Sequence, residues 1–253
     1  MSLSGKPSLE NLLESGAIEL ESLHPGGLTT TQELAELCYV NEKTTLLDVA
    51  SGTGARACFL VDEFHCKATG LDASEILLEQ AREKALQQGF EVEFRLGDAH
   101  DLPFDDQSFD VVISECTTCV LDKQRAIAEM VRVVKLGGYV GIHDICWQED
   151  TPEKLKNRLA DIEDEYPETL AGWIDLFQEA GLENCKGIDR SGKMSDWMKS
   201  GRKKLGIKGQ LKIARTVYNA WGLKGLLTIF ESERIFSNKH TGYGIIVGQK
   251  TPL

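Results

Sequence analysis

The chain has no apolar run near the roughly 20 residues that span a bilayer. Its polar start, MSLSGKPSLE, has no signal-peptide core. Internal repeats, low-complexity tracts and proline-rich linkers are also missing; six prolines are scattered over 253 residues. These absences argue against a repeat array or tethered modules, and leave one α/β-sized domain with additions. An even cysteine framework is lacking too. Seven cysteines spread through helix-like and strand-like stretches suit reduced thiols in a cytoplasm. No positive balance is present: the formal charge of −12 argues against generic nucleic-acid binding.

What is present starts at LLDVASGTG, residues 46–54. An apolar strand ends in an acid, the backbone turns through Gly52-Thr53-Gly54, and the helix-like ARACFLVDEF follows. Glycine permits the sharp turn and lets a ligand approach the backbone. The N–H groups of the helix start favour negative charge. Two readings of the loop compete. Gly52 to Ala57 fits a dinucleotide fingerprint, with Asp72 near the place of a ribose-binding acid. That points to a nicotinamide-dependent oxidoreductase. Asp48 argues the other way, because a carboxylate beside the turn repels a pyrophosphate. A ligand with an ammonium, a carboxylate and ribose hydroxyls uses the whole set, and S-adenosylmethionine is such a ligand. The plain alternative for Asp48 is a turn cap.

The following segments repeat the pattern. HCKATGLDAS reads as a second strand ending at Asp72, with Ser74 placed to cap the helix EILLEQAREKALQQ. EVEFRLGDAHDLPF supplies a third strand and then Asp98-Ala99. SFDVVISECTTCVL is a fourth, running into Ser114-Glu115-Cys116. A helix over about 123–134, a turn at Leu136-Gly137-Gly138 and a fifth strand, YVGIHDI, come next. Strands alternating with helices imply right-handed crossovers and a parallel, doubly wound sheet whose ligands sit at the strand C-terminal ends. Asp48, Asp72, Asp98 and Glu115 all fall there.

In order and spacing, LLDVASGTG, GLDAS, GDAHDLPFDDQSFDVVIS and EMVRVVKLGGYV resemble the motifs of class I S-adenosylmethionine-dependent methyltransferases. The likeness is to the small-molecule type that includes quinone-ring and arsenite enzymes, and it covers about residues 40–150. It implies a Rossmann-like, seven-stranded, mostly parallel sheet with N-terminal helices and a helical insertion before the last strand. It implies that Asp48, Ala50, Ser51, Gly52 and Gly54 hold the methionine end. Asp72 with Ala73 would take the ribose, Asp98 and Ala99 the adenine, and Ser114 and Glu115 would lie near the reacting methyl. Ala50 stands where the family usually has the first glycine of the turn.

Outside the cofactor-binding core, 41–150, residues 8–40 read as an N-terminal helical cover holding the turn His24-Pro25-Gly26-Gly27. TLAGWIDLFQEAGLENCKGIDRS gives a helix and a sixth strand, and HTGYGIIVGQK a seventh. Between them, residues 192–236 read as a helical lid, and 192–225 carry nine basic residues against one acid, Asp196. Such a segment is either a set of polar helix faces or a lid that attracts an anionic small molecule. Candidate substrate contacts are His24, Cys116, Trp197, Tyr218 and Trp221, each with a structural alternative as turn or core residue. Glu115, His143 and Asp144 are the candidate bases. Within the resemblance, Cys58 and Cys116 fall where arsenite methyltransferases carry cysteines, although the third cysteine of those enzymes has no counterpart in EYPETLAGW. Cys116-Thr117-Thr118-Cys119 is a single CxxC and is insufficient for a structural zinc site, so no metal is expected. Small-molecule methyl transfer by a monomer or homodimer is the expectation. A thiol-assisted arsenite enzyme, the nicotinamide enzyme and a non-catalytic cofactor-binding module remain alternatives.

Overall fold

The computed structural model describes residues 6–8 and 25–252, with side chains left out at 193, 195–202 and 204. The first helix, α1 (Leu28–Leu37), precedes β1 (Thr45–Val49). Three strand–helix repeats follow: α2 (Ala55–Phe64), β2 (Lys67–Asp72), α3 (Glu75–Gln88), β3 (Glu93–Leu96), β4 (Phe109–Glu115), α4 (Lys123–Val133) and β5 (Val134–Trp147). The remainder is α5 (Glu153–Glu163), β6 (Glu168–Thr169), α6 (Leu170–Glu179), β7 (Glu183–Asp189), α7 (Met194–Phe236) and β8 (Thr241–Gln249).

The strands lie in the order β3-β2-β1-β4-β5-β8-β7. All pairs are parallel except those of β8, which runs antiparallel to both β5 and β7. This is the expected doubly wound sheet with one addition: two-residue β6 pairs with Cys146 and Trp147 at the end of β5. The expected turn at Leu136-Gly137-Gly138 is instead a bulge inside β5. Gly137 has φ 82°, and the register slips between the Phe109–Val134 and Val111–Tyr139 pairs.

Local chemistry sets the element ends. Ser74 caps α3 by accepting the Leu77 N–H, and Gly89, with φ 75°, closes its other end in the left-handed conformation. Asp122 caps α4 through the Arg125 N–H, and Thr169 caps α6 through the Gly172 N–H. Two apolar layers sandwich the sheet. On one face, Leu46, Ile113 and Ile245 meet Leu34 of α1, Leu60 of α2 and Leu78 of α3. On the other, Leu47, Val112 and Ile142 meet Ile127 and Met130 of α4 and Trp173 and Phe177 of α6. A third cluster, including Trp147, Leu159, Phe236 and Tyr243, ties α5 and α7 to the ends of β5 and β8. Burying each such large side chain contributes about 1.5–3 kcal/mol. The strands are thereby held in a fixed register, and their C-terminal ends form one rigid rim.

The expected insertion is α7, and it is not one straight helix: Gly206 and Gly222 leave helical geometry, with φ 59° and 66°. His24 and residues 9–24 of the expected N-terminal cover lie outside the described residues, as does the side chain of Trp197.

Candidate functional site

Strand parity gathers the acids. Asp48 is level with Ile113 across β1 and β4, and Glu115 is level with His143 across β4 and β5. Alternate residues of a strand share a face, so Asp48, Glu115 and His143 all project toward the α1–α2–α3 side. All three are buried, at 0, 1 and 0% exposure. Oε2 of Glu115 lies 3.1 Å from Nδ1 of His143. Tyr243 packs edge-on against the imidazole, with ring centroids 5.2 Å apart. Ser114 and Asp144 take the opposite face. Asp144 is buried and accepts the N–H groups of Cys119 and Ile145. Burial raises its pKa, and those hydrogen bonds only partly oppose the rise.

The loop after β1 is strained where sequence reading flagged it. Ala50 adopts φ 59°, the left-handed region that glycine favours. Gly54, at φ 71°, has no room for a side chain: a Cβ there would stand 2.7 Å from Ala81 and Phe94. A Cβ on Gly52 would meet nothing within 4 Å, so space lies open over that backbone. Asp72 braces the same loop. Its Oδ2 accepts the Gly52 N–H at 2.7 Å, and its Oδ1 accepts the Ser74 N–H at 2.9 Å. Asp98 sits in the loop after β3, exposed beside buried Ala99, and accepts both the backbone N–H and the ring Nδ1 of His100. Those bonds hold its carboxyl below the ordinary range. Ala73 is exposed at the rim.

One participant was not singled out from sequence. Arg56, in the first turn of α2, is turned inward. Its Nη2 donates to the Ala50 carbonyl at 2.6 Å and to Asp48 Oδ1 at 3.4 Å, and its Nε stands 3.9 Å from Glu115 Oε1. Burial works against its charge, but Asp48 and Glu115 outweigh that and push its pKa up. Burial likewise raises the Asp48 carboxyl, and the Arg56 charge opposes the rise. A basic residue just past a glycine turn flanked by acids was the available signal.

The thiol-assisted arsenite alternative is not favoured. Cys58 belongs to the buried layer between α2 and the sheet, whereas Cys116 follows Glu115 at φ 52°. Burial pushes the thiols of Cys58, Cys116, Cys119 and Cys146 up, reinforced at the last three by Asp144. Among the described residues no group of three or more His, Cys, Asp or Glu side chains is placed to hold a metal ion. Tyr218 is 55% exposed on α7, and Trp221 is half-buried. No helix among the described residues is long and apolar enough to cross a membrane.

The sequence profile of a methyltransferase domain matches residues 40–199, which contain the whole loop-and-rim arrangement. The chain belongs to that methyltransferase family. A protein of Haemophilus influenzae with no assigned activity is 34% identical over 206 residues, covering 78% of this chain and 81% of that one. Phosphoethanolamine N-methyltransferase 1 of Arabidopsis thaliana is 29% identical over 172 residues; the match takes in 66% of this chain but only 34% of the plant enzyme. The fold is shared with phosphoethanolamine N-methyltransferase 2 of Haemonchus contortus, solved with S-adenosyl-L-methionine. The TM-score is 0.80 at 18% identity, covering 96% of this chain and 57% of that one. The protein is a class I S-adenosylmethionine-dependent methyltransferase, and the nicotinamide reading of its glycine loop is not favoured.

The residues present fit that cofactor. Buried Ser114 Oγ makes no hydrogen bond with the protein, an arrangement that costs free energy unless a bound group completes it. Open space lies above Gly52, and carboxylates rim the strand ends to meet an ammonium and hydroxyls.

Proposed function

We propose that this methyltransferase methylates a small molecule at a heteroatom that carries a proton, with Glu115 and His143 acting together as the base. The observation that carries the reading is the 3.1 Å contact between two fully buried side chains, Glu115 at the end of β4 and His143 level with it inside β5. A carboxylate only accepts hydrogen bonds, so Nδ1 of His143 is the donor and Nε2 is the nitrogen that takes up a proton. Glu115 fixes the tautomer and stabilises the imidazolium that forms.

The cofactor supplies an electrophilic methyl group on a sulfonium. The protein's share is to align and to exclude water, and such alignment lowers a barrier by about 7–11 kcal/mol. In this reading Ala50, Ser51, Gly52 and Gly54 hold the methionine end through their backbone, with Asp48 below them. Asp72 and Ala73 hold the ribose, Asp98 and Ala99 the adenine, and Ser114 and Glu115 border the reacting centre. Cys116, Tyr218 and Trp221 belong to the acceptor side. The chain forms one domain in which α7 is a lid over the strand ends. Exposed Lys208, Lys212 and Arg215 on that lid favour an acceptor bearing an anionic group.

The test is methyl transfer from labelled donor to small amines, alcohols and thiols, each with and without a phosphate. His143→Asn should lower kcat by about 10²–10⁴-fold and leave S-adenosylhomocysteine affinity intact by calorimetry. A variant that turns over normally would remove the base role. Product formation only with acceptors that carry no transferable proton would do so as well.

A further inference from the structure

Arg56 occupies an improbable place. A cation in the first turn of a helix opposes the helix dipole, and a guanidinium with only 13% of its side chain exposed loses most of its hydration. Two buried carboxylates offset both costs. Arg56 approaches Asp48 at 3.4 Å and Glu115 at 3.9 Å, and it fills the Ala50 carbonyl at 2.6 Å. That carbonyl and those acids are the groups assigned above to the positively charged end of the cofactor.

We propose that Arg56 is the internal counter-ion of the buried acids Asp48 and Glu115 and sets the site's preference between the sulfonium donor and the thioether product. The proposal rests on the cofactor reading of the loop. The guanidinium satisfies the Ala50 carbonyl and keeps Asp48 and Glu115 compatible with burial. It must release that carbonyl when an ammonium takes the position. Its charge then acts unequally on the two ligands. S-adenosylmethionine carries one more positive charge than S-adenosylhomocysteine: both present the ammonium, and a retained guanidinium repels the sulfonium of the former in addition. Arg56 therefore moderates the grip of an otherwise strongly anionic rim on the donor, while still letting the uncharged-sulfur product bind. A helix-start lysine or arginine on the surface would do neither.

The experiment compares wild type, Arg56→Gln and Arg56→Lys in two measurements: calorimetric affinity for both ligands, and thermal stability of the cofactor-free protein between pH 5 and 8. For Arg56→Gln we expect the donor-to-product affinity ratio to rise on the order of tenfold, the scale of one unit charge acting across a partly screened pocket. We expect its unfolding temperature to fall below wild type most at pH 8 and least at pH 5, because acid protonates Asp48, whose carboxyl burial already raises and which then lacks the opposing Arg56 charge. Arg56→Lys keeps the charge and should stay near wild type in both. An unchanged ratio together with a pH-independent stability loss in Arg56→Gln would overturn the proposal. So would a Lys variant as unstable as the Gln variant, since Arg56 would then serve packing alone. If Arg56→Gln does not fold but Arg56→Lys does, the charge itself is required and the proposal stands. Failure of wild type to bind either ligand would instead sink the cofactor reading of the loop.

Discussion

Asp72 accepts the backbone N–H of Gly52 at 2.7 Å, so the acid at the tip of β2 and the glycine loop of β1 form one mechanical unit. The same carboxylate also holds Ser74, whose hydroxyl starts α3. Replacing Asp72 therefore disturbs three elements together. We expect Asp72→Ala to weaken S-adenosylhomocysteine binding by roughly 10–100-fold and to cost about 1–3 kcal/mol of stability. Calorimetry and urea unfolding check the two effects. A variant with unchanged affinity would place the ribose elsewhere.

Ala50 holds a glycine's conformation at φ 59°. For an L-residue that costs about 1–2 kcal/mol, while a glycine gives back about 0.4–1 kcal/mol through the freer unfolded chain. Ala50→Gly should then be neutral or raise the unfolding temperature by a few degrees, with cofactor affinity kept. A clear drop in thermal unfolding temperature would show that the alanine methyl makes contacts worth more than the strain.

Glu129 ties the segment after β3 to α4. It bonds Arg132, accepts the Leu102 N–H, and is held below its ordinary value of 4.5 by these partners, Arg132 foremost. A depressed folded-state pKa stabilises above the unfolded value, and that contribution disappears as pH falls through the folded one. Wild type should therefore exceed Glu129→Gln in stability at neutral pH, and the two should converge below about pH 4. Urea titrations from pH 3 to 7 read this directly; a gap that widens on acidification would contradict it.

Burial keeps the Cys116, Cys119 and Cys146 thiols well above their ordinary value. The thiolate is the reactive and metal-binding form. Iodoacetamide at pH 8 should label these three far more slowly in the native protein than after denaturation, and As(III) should leave tryptophan fluorescence unchanged. Rapid native labelling of Cys116, or quenching lost in a Cys58/Cys116 double serine variant, would reopen metalloid chemistry.

The parallel part of the fold could be read from residues because each strand of that half carries its own punctuation. An apolar run, a terminal acid and a cap or glycine recur at Asp48, Asp72 and Glu115. The pairing of Glu115 with His143 follows from adjacent strands in a known order. What escaped reading depends on contacts between distant segments. Two-residue β6 pairs with β5 where that strand overruns β4 as far as Trp147. The Gly137 bulge looks like a turn locally, and only its pairing with β4 shows that the strand continues. Nothing local marks Arg56 as inward-facing, because the reason for its inward rotamer lies on β1 and β4.

The antiparallel placement of β8 has a consequence for biogenesis. Among the described residues β7 has no partner in the sheet other than β8, which is threaded between it and β5. During synthesis β7 and α6 emerge more than forty residues earlier, ahead of the whole of α7. That edge must wait, unpaired, until residues 241–249 leave the ribosome. Slow translation through α7 would lengthen the exposure of this edge, and a nascent chain stalled there would be a substrate for chaperones.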